Sequence, residues 1–435
     1  MRVRRVEALA IVALVVAAFA LRAGLIAQTP GYQPRHDDHD YVRVAWSMAA
    51  GRGYPEIRVR LPGHHVRHLA DGWRPPLWPA LMAVPLRAAG GAIGPLPRHV
   101  PQLTALRLLN ALLGAVAVLL TALLARRLFG ARAGWWAGAL AVVYLPLALL
   151  STVLLSETLF VCLELGALLV ALPAGSVPRA VAAGALVGLA WLTRMNGVLL
   201  LAPVVLLVAA SGTTRARVVR AGAAVLACAA VVSPWTIRNA EQLHAFVPVS
   251  TETGGTLLGT YNSLALHDRR DPGAWHPLRG TWWGYRHLVP PGTPPAVANT
   301  RLTSVALDFA SDHPRYIATV VSWNVRRMLG LAGQSRWRFE AATADIGPRA
   351  ADAAMLCFWV VALLAATALA SGAARGVPRA LWLAPALLIV SVLLVNAETP
   401  RFRAPLEPFL LVLAGVALSR NGRRGHRRLS RWSLG

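Results

Sequence analysis

Apolar runs of membrane length alternate with short polar breaks along most of the chain. They are Val6–Ala27, Leu103–Leu124, Trp135–Leu150, Val153–Leu172, Ala180–Ala210, Val218–Val232, Ala353–Ala370, Ala380–Val395 and Pro405–Leu418. Such runs predict spanning helices, because lipid offers no partner to an open backbone amide or carbonyl. Leu77–Ile93 is also apolar, but it holds Pro79, Pro85 and Arg87 and is expected to lie on the membrane rather than cross it. Ala180–Ala210 is too long for one span and is interrupted by Thr193-Arg194-Met195-Asn196-Gly197. Dividing it there predicts an all-α polytopic bundle of about ten transmembrane helices. Two polar stretches break the rhythm, His36–Trp78 and Ser233–Arg349. They divide the chain into a transmembrane module (1–232) with a first external loop (28–102), an extracytoplasmic segment (233–350), a closing set of spans (351–420) and a basic tail (421–435).

Composition agrees with that frame. The 435 residues are 56% hydrophobic with mean hydropathy +0.51, above the range of soluble domains. The net charge of +25 is carried by arginine, with no lysine. Short loops at Arg126/Arg127/Arg132, Arg215/Arg217/Arg220 and Arg375/Arg379 are basic, as are both ends of the chain. The positive-inside bias assigns them to the cytoplasm of a cell-membrane protein. Charge of this origin implies a lipid bilayer as partner and gives no reason to expect nucleic acid. Basic Met1–Glu7 before Val6–Ala27 suits a retained first span better than a signal peptide, whose apolar core would be shorter. With both termini inside, His36–Trp78, Ser151–Glu157, Arg194–Gly197, Ser233–Arg349 and Asn396–Arg403 all fall outside. The polar residues that look chemical therefore share one face. Cys162, Cys228 and Cys357 lie inside apolar runs and have neither disulfide nor metal spacing.

Candidate chemistry starts with Asp37 and Asp38, which open His36–Trp78. Neighbouring carboxylates there suit a general base or a divalent-cation site, and equally suit capping of a short helix through Tyr41, Val44 and Met48 that ends at Gly51. Arg74 precedes Pro75-Pro76-Leu77; the prolines stiffen the backbone and hold the guanidinium at the interface, suited to a phosphate or to lipid headgroups. Glu157 and Glu164 lie seven residues apart, hence on one helix face, and a carboxylate in a span seeks a polar cavity or a partner. Arg194 is the candidate partner. His64, His65 and His68 read as a solvated loop, since no carboxylate sits at ligand spacing within the cluster. Beyond Ser233 come Arg238-Asn239, the glycine-containing Glu252-Thr-Gly-Gly-Thr and Gly259-Thr-Tyr-Asn262, and an aromatic group of Trp275, Trp282, Trp283 and Tyr285 that suits stacking on sugar rings or, the favoured reading, the membrane interface. Arg401 and Arg403 fall outside against the usual bias, which suggests an anionic ligand.

In their order these motifs resemble the polytopic glycosyltransferases of the GT-C fold, in the family 39-like group that includes protein O-mannosyltransferases and aminoarabinose transferases. The carriers of the resemblance are Asp37-Asp38-His39-Asp40-Tyr41 through Gly51-Arg52-Gly53-Tyr54, Arg74-Pro75-Pro76-Leu77, Ser156-Glu157, Thr193-Arg194, Pro234-Trp235 with Arg238-Asn239, and Arg401-Phe402-Arg403 with Pro405. Asp-Asp stands where many relatives have Asp-Glu, Trp73 stands where aminoarabinose transferases carry an acid, and no large soluble domain follows the last apolar run. The resemblance implies a polyprenyl-phosphate-linked sugar donor, a hydroxyl acceptor it does not name, and transfer on the extracytoplasmic face. It implies Asp37 as base, with Asp38 or Glu157 orienting it or assisting a divalent metal cation. Arg74, Arg238, Arg401 and Arg403 are implied for the carrier phosphate, and Tyr41, Arg194 and Asn239 for the rest of the substrate site. The alternative from the residues alone is a transporter or flippase of lipid-linked anions. That needs polar residues through the full membrane depth and paired interruptions, whereas apart from Glu164 they gather at one face.

Overall fold

The computed structural model describes residues 2–60, 65–88, 100–172, 175–276, 287–343, 346–397 and 401–419. Helices account for nearly all of its regular structure. They are α1 (Arg2–Ala27), α2 (Asp37–Ala49), α3 (Leu77–Ala88), α4 (Val100–Phe129), α5 (Ala131–Val143), α6 (Leu145–Leu150), α7 (Glu157–Ala171), α8 (Val177–Trp191), α9 (Leu201–Val208), α10 (Thr214–Leu243), α11 (Thr253–Thr260), α12 (Ser263–His267), α13 (Pro295–Asp312), α14 (Pro314–Met328), α15 (Gln334–Ala342), α16 (Pro348–Ala370), α17 (Arg379–Leu393) and α18 (Glu407–Ser419). Short 3-10 turns precede α9 (Met195–Leu200), follow α16 (Ala373–Gly376) and precede α18 (Arg401–Arg403). One antiparallel hairpin, β1 (Glu56–Arg60) with β2 (Val66–Ala70), pairs Arg58 with His68.

Four described helices have apolar segments long enough to cross a bilayer: Leu9–Ala27, Pro101–Phe129, Thr214–Leu243 and Pro348–Ala370. Further apolar helices, Val177–Trp191, Met195–Val208, Arg379–Leu393 and Glu407–Ser419, are shorter. The exposed faces show what surrounds them. Leu226 on α10 is 70% exposed and Leu363 on α16 is 68% exposed, with Val218 and Leu356 beside them. Contiguous apolar surface on helices of this length faces lipid, and the chain is a multi-pass membrane protein. Helices touch where side chains are small. A methyl group added at Gly184 of α8 would overlap the Ala224 carbonyl of α10, and one at Gly188 would lie 2.9 Å from the Cys228 carbonyl. This small-xxx-small spacing gives close backbone approach where no hydrophobic force drives helices together.

The sequence-based division of Ala180–Ala210 coincides with a real break, since α8 ends at Trp191 and the 3-10 turn starts at Met195. The expected exit from the membrane at Ser233 does not end a helix. α10 runs through Pro234 to Leu243, and His244 closes it in the left-handed region at φ 51°. Leu77–Ile93 begins as α3, whose Trp78, Met82 and Leu86 are buried against α2 and the helices beside it; residues 89–93 lie outside the described residues.

Candidate functional site

The site rests on an irregular segment, Ser151–Leu155, that leads into α7. Such backbone inside a membrane bundle needs side-chain partners for its polar groups. Arg107 Nε donates to the Thr152 carbonyl (2.6 Å), Asn110 Nδ2 to that of Val153, and Trp78 Nε1 to that of Leu154 (3.0 Å). Tyr32 Oη accepts from the Leu154 amide (3.2 Å) and donates to Asp38. Arg22, itself buried, donates to Ser151 Oγ (2.9 Å). Ser156 and Glu157 are thereby held at the start of α7, both fully buried.

Asp38 and Asp37 take different roles. Asp38 is buried, and its Oδ1 accepts from the amides of Arg35 (3.0 Å), His36 (2.9 Å) and His39 (2.9 Å). It locks the start of α2. Asp37 instead faces a pocket and pairs with Arg74 and Arg401, which lies 364 residues further along the chain. Burial pushes the Asp37 carboxyl up, but Arg401 and Arg74 outweigh it and hold the group well below the usual carboxylate range.

Arg74 is fixed from behind. Pro75 and Pro76 offer no amide, and the Leu77 amide donates to the Leu192 carbonyl at the α8 break (3.0 Å). Tyr54 Oη donates to the Arg74 carbonyl (2.6 Å) and accepts from its amide (3.1 Å). Burial, with Asp71 nearby, raises the Tyr54 phenol and keeps it a donor. The Tyr54 and Trp235 rings meet at a tilt of 54° with centroids 5.1 Å apart, and Arg238 lies over both. Arg238 also donates to the Asp71 carbonyl (3.0 Å) and to Asn239 Oδ1 (3.0 Å), while Asn239 Nδ2 donates to the carbonyls of Val247 (2.9 Å) and Val249 (3.2 Å). Arg238 and Asn239 therefore brace the Arg74 loop and do not line the pocket.

At the pocket, Arg74 also reaches Asp40 (3.0 Å), Glu252 (3.6 Å) and the Tyr41 ring (5.3 Å). Tyr41 Oη meets Ser156 Oγ at 3.2 Å. Glu157 Oε1 receives both Arg194 (2.6 Å) and Arg401 (2.7 Å), and Arg194 also donates to Ser156 Oγ (3.2 Å). The result is a continuous alternation of acids and guanidinium groups from Arg194 through Glu157, Arg401, Asp37 and Arg74 to Glu252. It borders a cavity of about 560 Å³, within the usual range for a small-molecule site. Polar lining continues with Thr193, Asn196 and Asn396, and apolar lining with Val198, Leu199, Val392 and Val395.

The structure thus brings together Asp37, Tyr41, Glu157, Arg74, Arg194 and Arg401. It leaves Asp38, Arg238 and Asn239 in the supporting shell. Arg403 points elsewhere, pairing with Glu407 (2.8 Å), donating to the Met328 carbonyl (2.8 Å) and lying 3.5 Å from the Phe358 ring centroid. Glu164 is fully buried further along α7, and Arg194 pairs with Glu157 in its stead. Asp40 and Glu252 join the network without having been singled out from sequence as arginine partners. Gly254 packs against Asn299, and its amide donates to Asn299 Oδ1 (2.7 Å), so this glycine serves contact between α11 and α13. His68 meets Glu56 (2.8 Å) on the exposed hairpin; His64, Trp282, Trp283 and Tyr285 lie outside the described residues.

Among the described residues no three His, Cys, Asp or Glu side chains gather at metal-binding distance. In the pocket the carboxylate oxygens face guanidinium groups. This donor set fits arginine-paired acids rather than a resident divalent cation.

Similarity to known proteins follows the same outline. A family model described as dolichyl-phosphate-mannose-protein mannosyltransferase matches residues 99–237. No curated protein sequence matches the chain. The archaeal oligosaccharyltransferase AglB of Archaeoglobus fulgidus, solved with an inhibitory peptide and a dolichol-phosphate, aligns with TM-score 0.52 at 15% identity over 93% of this chain and 50% of its own. The oligosaccharyltransferase of the same organism in complex with Zn and sulfate aligns with TM-score 0.52 at 14% identity, over 93% and 48%. ArnT from Cupriavidus metallidurans bound to undecaprenyl phosphate aligns with TM-score 0.45 at 17% identity, over 95% and 78%. The chain spans about half the length of the oligosaccharyltransferases it matches. The fold is the GT-C fold of membrane glycosyltransferases. Over residues 99–237, about a third of its length, the chain is similar to that mannosyltransferase family.

Proposed function

We propose that this protein is a membrane glycosyltransferase that moves a sugar from a polyprenyl-phosphate carrier to an acceptor hydroxyl at the extracytoplasmic face. One observation carries the proposal. Separate parts of the chain put Asp37, Arg74, Arg194 and Arg401 around one cavity, and Glu157 holds Arg194 and Arg401 from behind. Support comes from the mannosyltransferase family model and from the oligosaccharyltransferase solved with a dolichol-phosphate.

The chemistry follows from the pairing. A carrier phosphate leaves as an anion, and guanidinium groups fixed beforehand where that charge develops lower the barrier to departure. Arg401 and Arg74 are placed for this role, with Glu157 orienting Arg401 and Arg194. In the resting pocket the same two arginines depress the basicity of Asp37. A phosphate competing for them frees the carboxylate to take the proton of the acceptor hydroxyl as the bond from its oxygen to the anomeric carbon forms. Substrate binding thus switches on the base. Val198, Leu199, Val392 and Val395 provide an apolar bed for the first isoprene units.

The test is incubation of membranes holding the protein with a panel of radiolabelled polyprenyl-phosphate sugars, followed by identification of the labelled product. Transfer from at least one donor is expected. Label that only crosses the bilayer, unchanged and still on its lipid, would instead mark a flippase.

A further inference from the structure

The ion network reaches one wall of the cavity only through Glu252. That wall is built by α11 and the turn after α12, and it carries Glu252, Thr256 and Trp275. Glu252 stands at the N-terminus of α11, and Thr256 lies one turn on, so both face the cavity from the same side of the helix. Thr256 Oγ1 donates to the Glu252 carbonyl (2.8 Å), which leaves its lone pairs as acceptors. Glu252 reaches Arg74 at 3.6 Å, close enough to offset charge and too far for a hydrogen bond.

Trp275 is held there by two devices. The His276 amide donates to the Gly259 carbonyl (2.8 Å), tying the turn to α11. Gly259 carries no side chain, and a methyl group built on it would overlap the Trp275 indole. The indole therefore lies flat against the helix whose first turns carry Glu252 and Thr256. At the far end of the turn, Asp271 pairs with Arg327 (2.6 Å), so the platform is anchored on both sides.

We propose that Glu252, Thr256 and Trp275 form the subsite for the transferred sugar, and that it selects a sugar presenting a vicinal diol and carrying no carboxylate. This rests on the donor assignment above and adds the class of sugar. An aromatic plate beside hydrogen-bonding groups recognises a pyranose or furanose ring by stacking its C–H face and holding its hydroxyls. A carboxylate accepts from two adjacent hydroxyl groups at once. In the donor complex Arg74 turns to the carrier phosphate and Glu252 keeps its charge, so a uronate there would meet a like charge.

The experiment compares binding of undecaprenyl phosphate and undecaprenyl phosphate mannose to the purified full-length chain in nanodiscs. The wild type should bind the sugar-bearing lipid about tenfold tighter than the bare lipid, the scale of one well-made hydrogen-bonded contact. In Trp275→Ala and Gly259→Ala that advantage should shrink to within about twofold with bare-lipid affinity unchanged, and Trp275→Phe should keep most of it; Glu252→Gln should lose the advantage too, while bare lipid binds no more weakly because Arg74 loses a competing acid. Gly259→Ala alters no group that contacts the sugar, so its effect reports the seating of the indole. A sugar advantage that survives in all three variants overturns the subsite while leaving the donor assignment intact. Equal weakening of both lipids also overturns it, since Glu252 would then act only through Arg74. A wild type that binds neither lipid overturns the donor assignment, and the subsite with it.

Discussion

Arg401 and Arg403 sit two residues apart in one 3-10 turn, both buried, both paired with a carboxylate, and their surroundings differ completely. Arg401 bridges Asp37 and Glu157 beside a cavity of about 560 Å³. Arg403 pairs with Glu407, one helical turn on, and borders a gap of about 10 Å³ among Trp337, Ile346 and Met355. The first ion pair joins distant segments around a space that admits a ligand. The second is sealed within its own stretch of chain. A buried charge pair marks a reacting centre when it borders room for a reactant; enclosed by side chains, it serves the fold.

Substitutions of the carboxylates should separate the two pairs most sharply. Asp37→Asn should lower sugar transfer by about 10²–10⁴-fold, the usual contribution of a placed base, with expression and membrane insertion intact. Near-normal turnover would remove Asp37 as base. Next, Arg401→Gln should lower kcat/KM by about 10²–10³-fold, as expected for loss of a charge placed at the leaving group. Arg403→Gln should act on folding instead, leaving Glu407 buried without its partner at a cost of about 3–5 kcal/mol, read as a lower Tm with kcat retained in the folded fraction. Comparable kinetic loss in both variants would erase the distinction.

The pH response sharpens the comparison further. Asp37 is held below its ordinary range by Arg401 and Arg74. A carboxylate of depressed pKa stays ionised as pH falls, and the stability it contributes is present above the unfolded value of about 3.9 and lost only as pH drops through the lower folded value. Arg401→Gln should raise the Asp37 pKa, so the acid limb of kcat/KM against pH should move to higher pH. Arg403→Gln should leave that limb in place. The smallest effect belongs to the brace behind Arg74. Arg238→Lys keeps the charge but loses the planar stack on Tyr54 and Trp235, and a few-fold rise in KM for the donor is expected.

Hydropathy was enough to read a helical multi-pass membrane protein, and the break before Met195 was visible as Thr-Arg-Met-Asn-Gly inside an apolar run. At Ser233 the same signal marks the polar boundary but not the end of the helix. Polar residues begin there, but α10 continues because Trp235, Thr236 and Asn239 find partners in the carbonyls of residues 247–249. The hairpin β1–β2 was missed because five-residue strands on a mostly exposed arm carry too short an alternation to stand out. At the site, residue types with a chemical meaning were legible and their grouping was not. Nothing local separates Asp37 from Asp38, or Arg401 from Arg403; three backbone amides claim Asp38, and Glu407 claims Arg403. Glu252 was visible only as part of a glycine-rich stretch, since its nearness to Arg74 is a product of packing.

The bond between residue 401 and residues 37 and 157 also has a consequence for biogenesis. A growing polypeptide can thread most of its helices into the bilayer and still lack the guanidinium that joins the two acids. Competence for catalysis would then arrive abruptly, once the ribosome has delivered that late turn and the translocon has released it to meet the earliest loop.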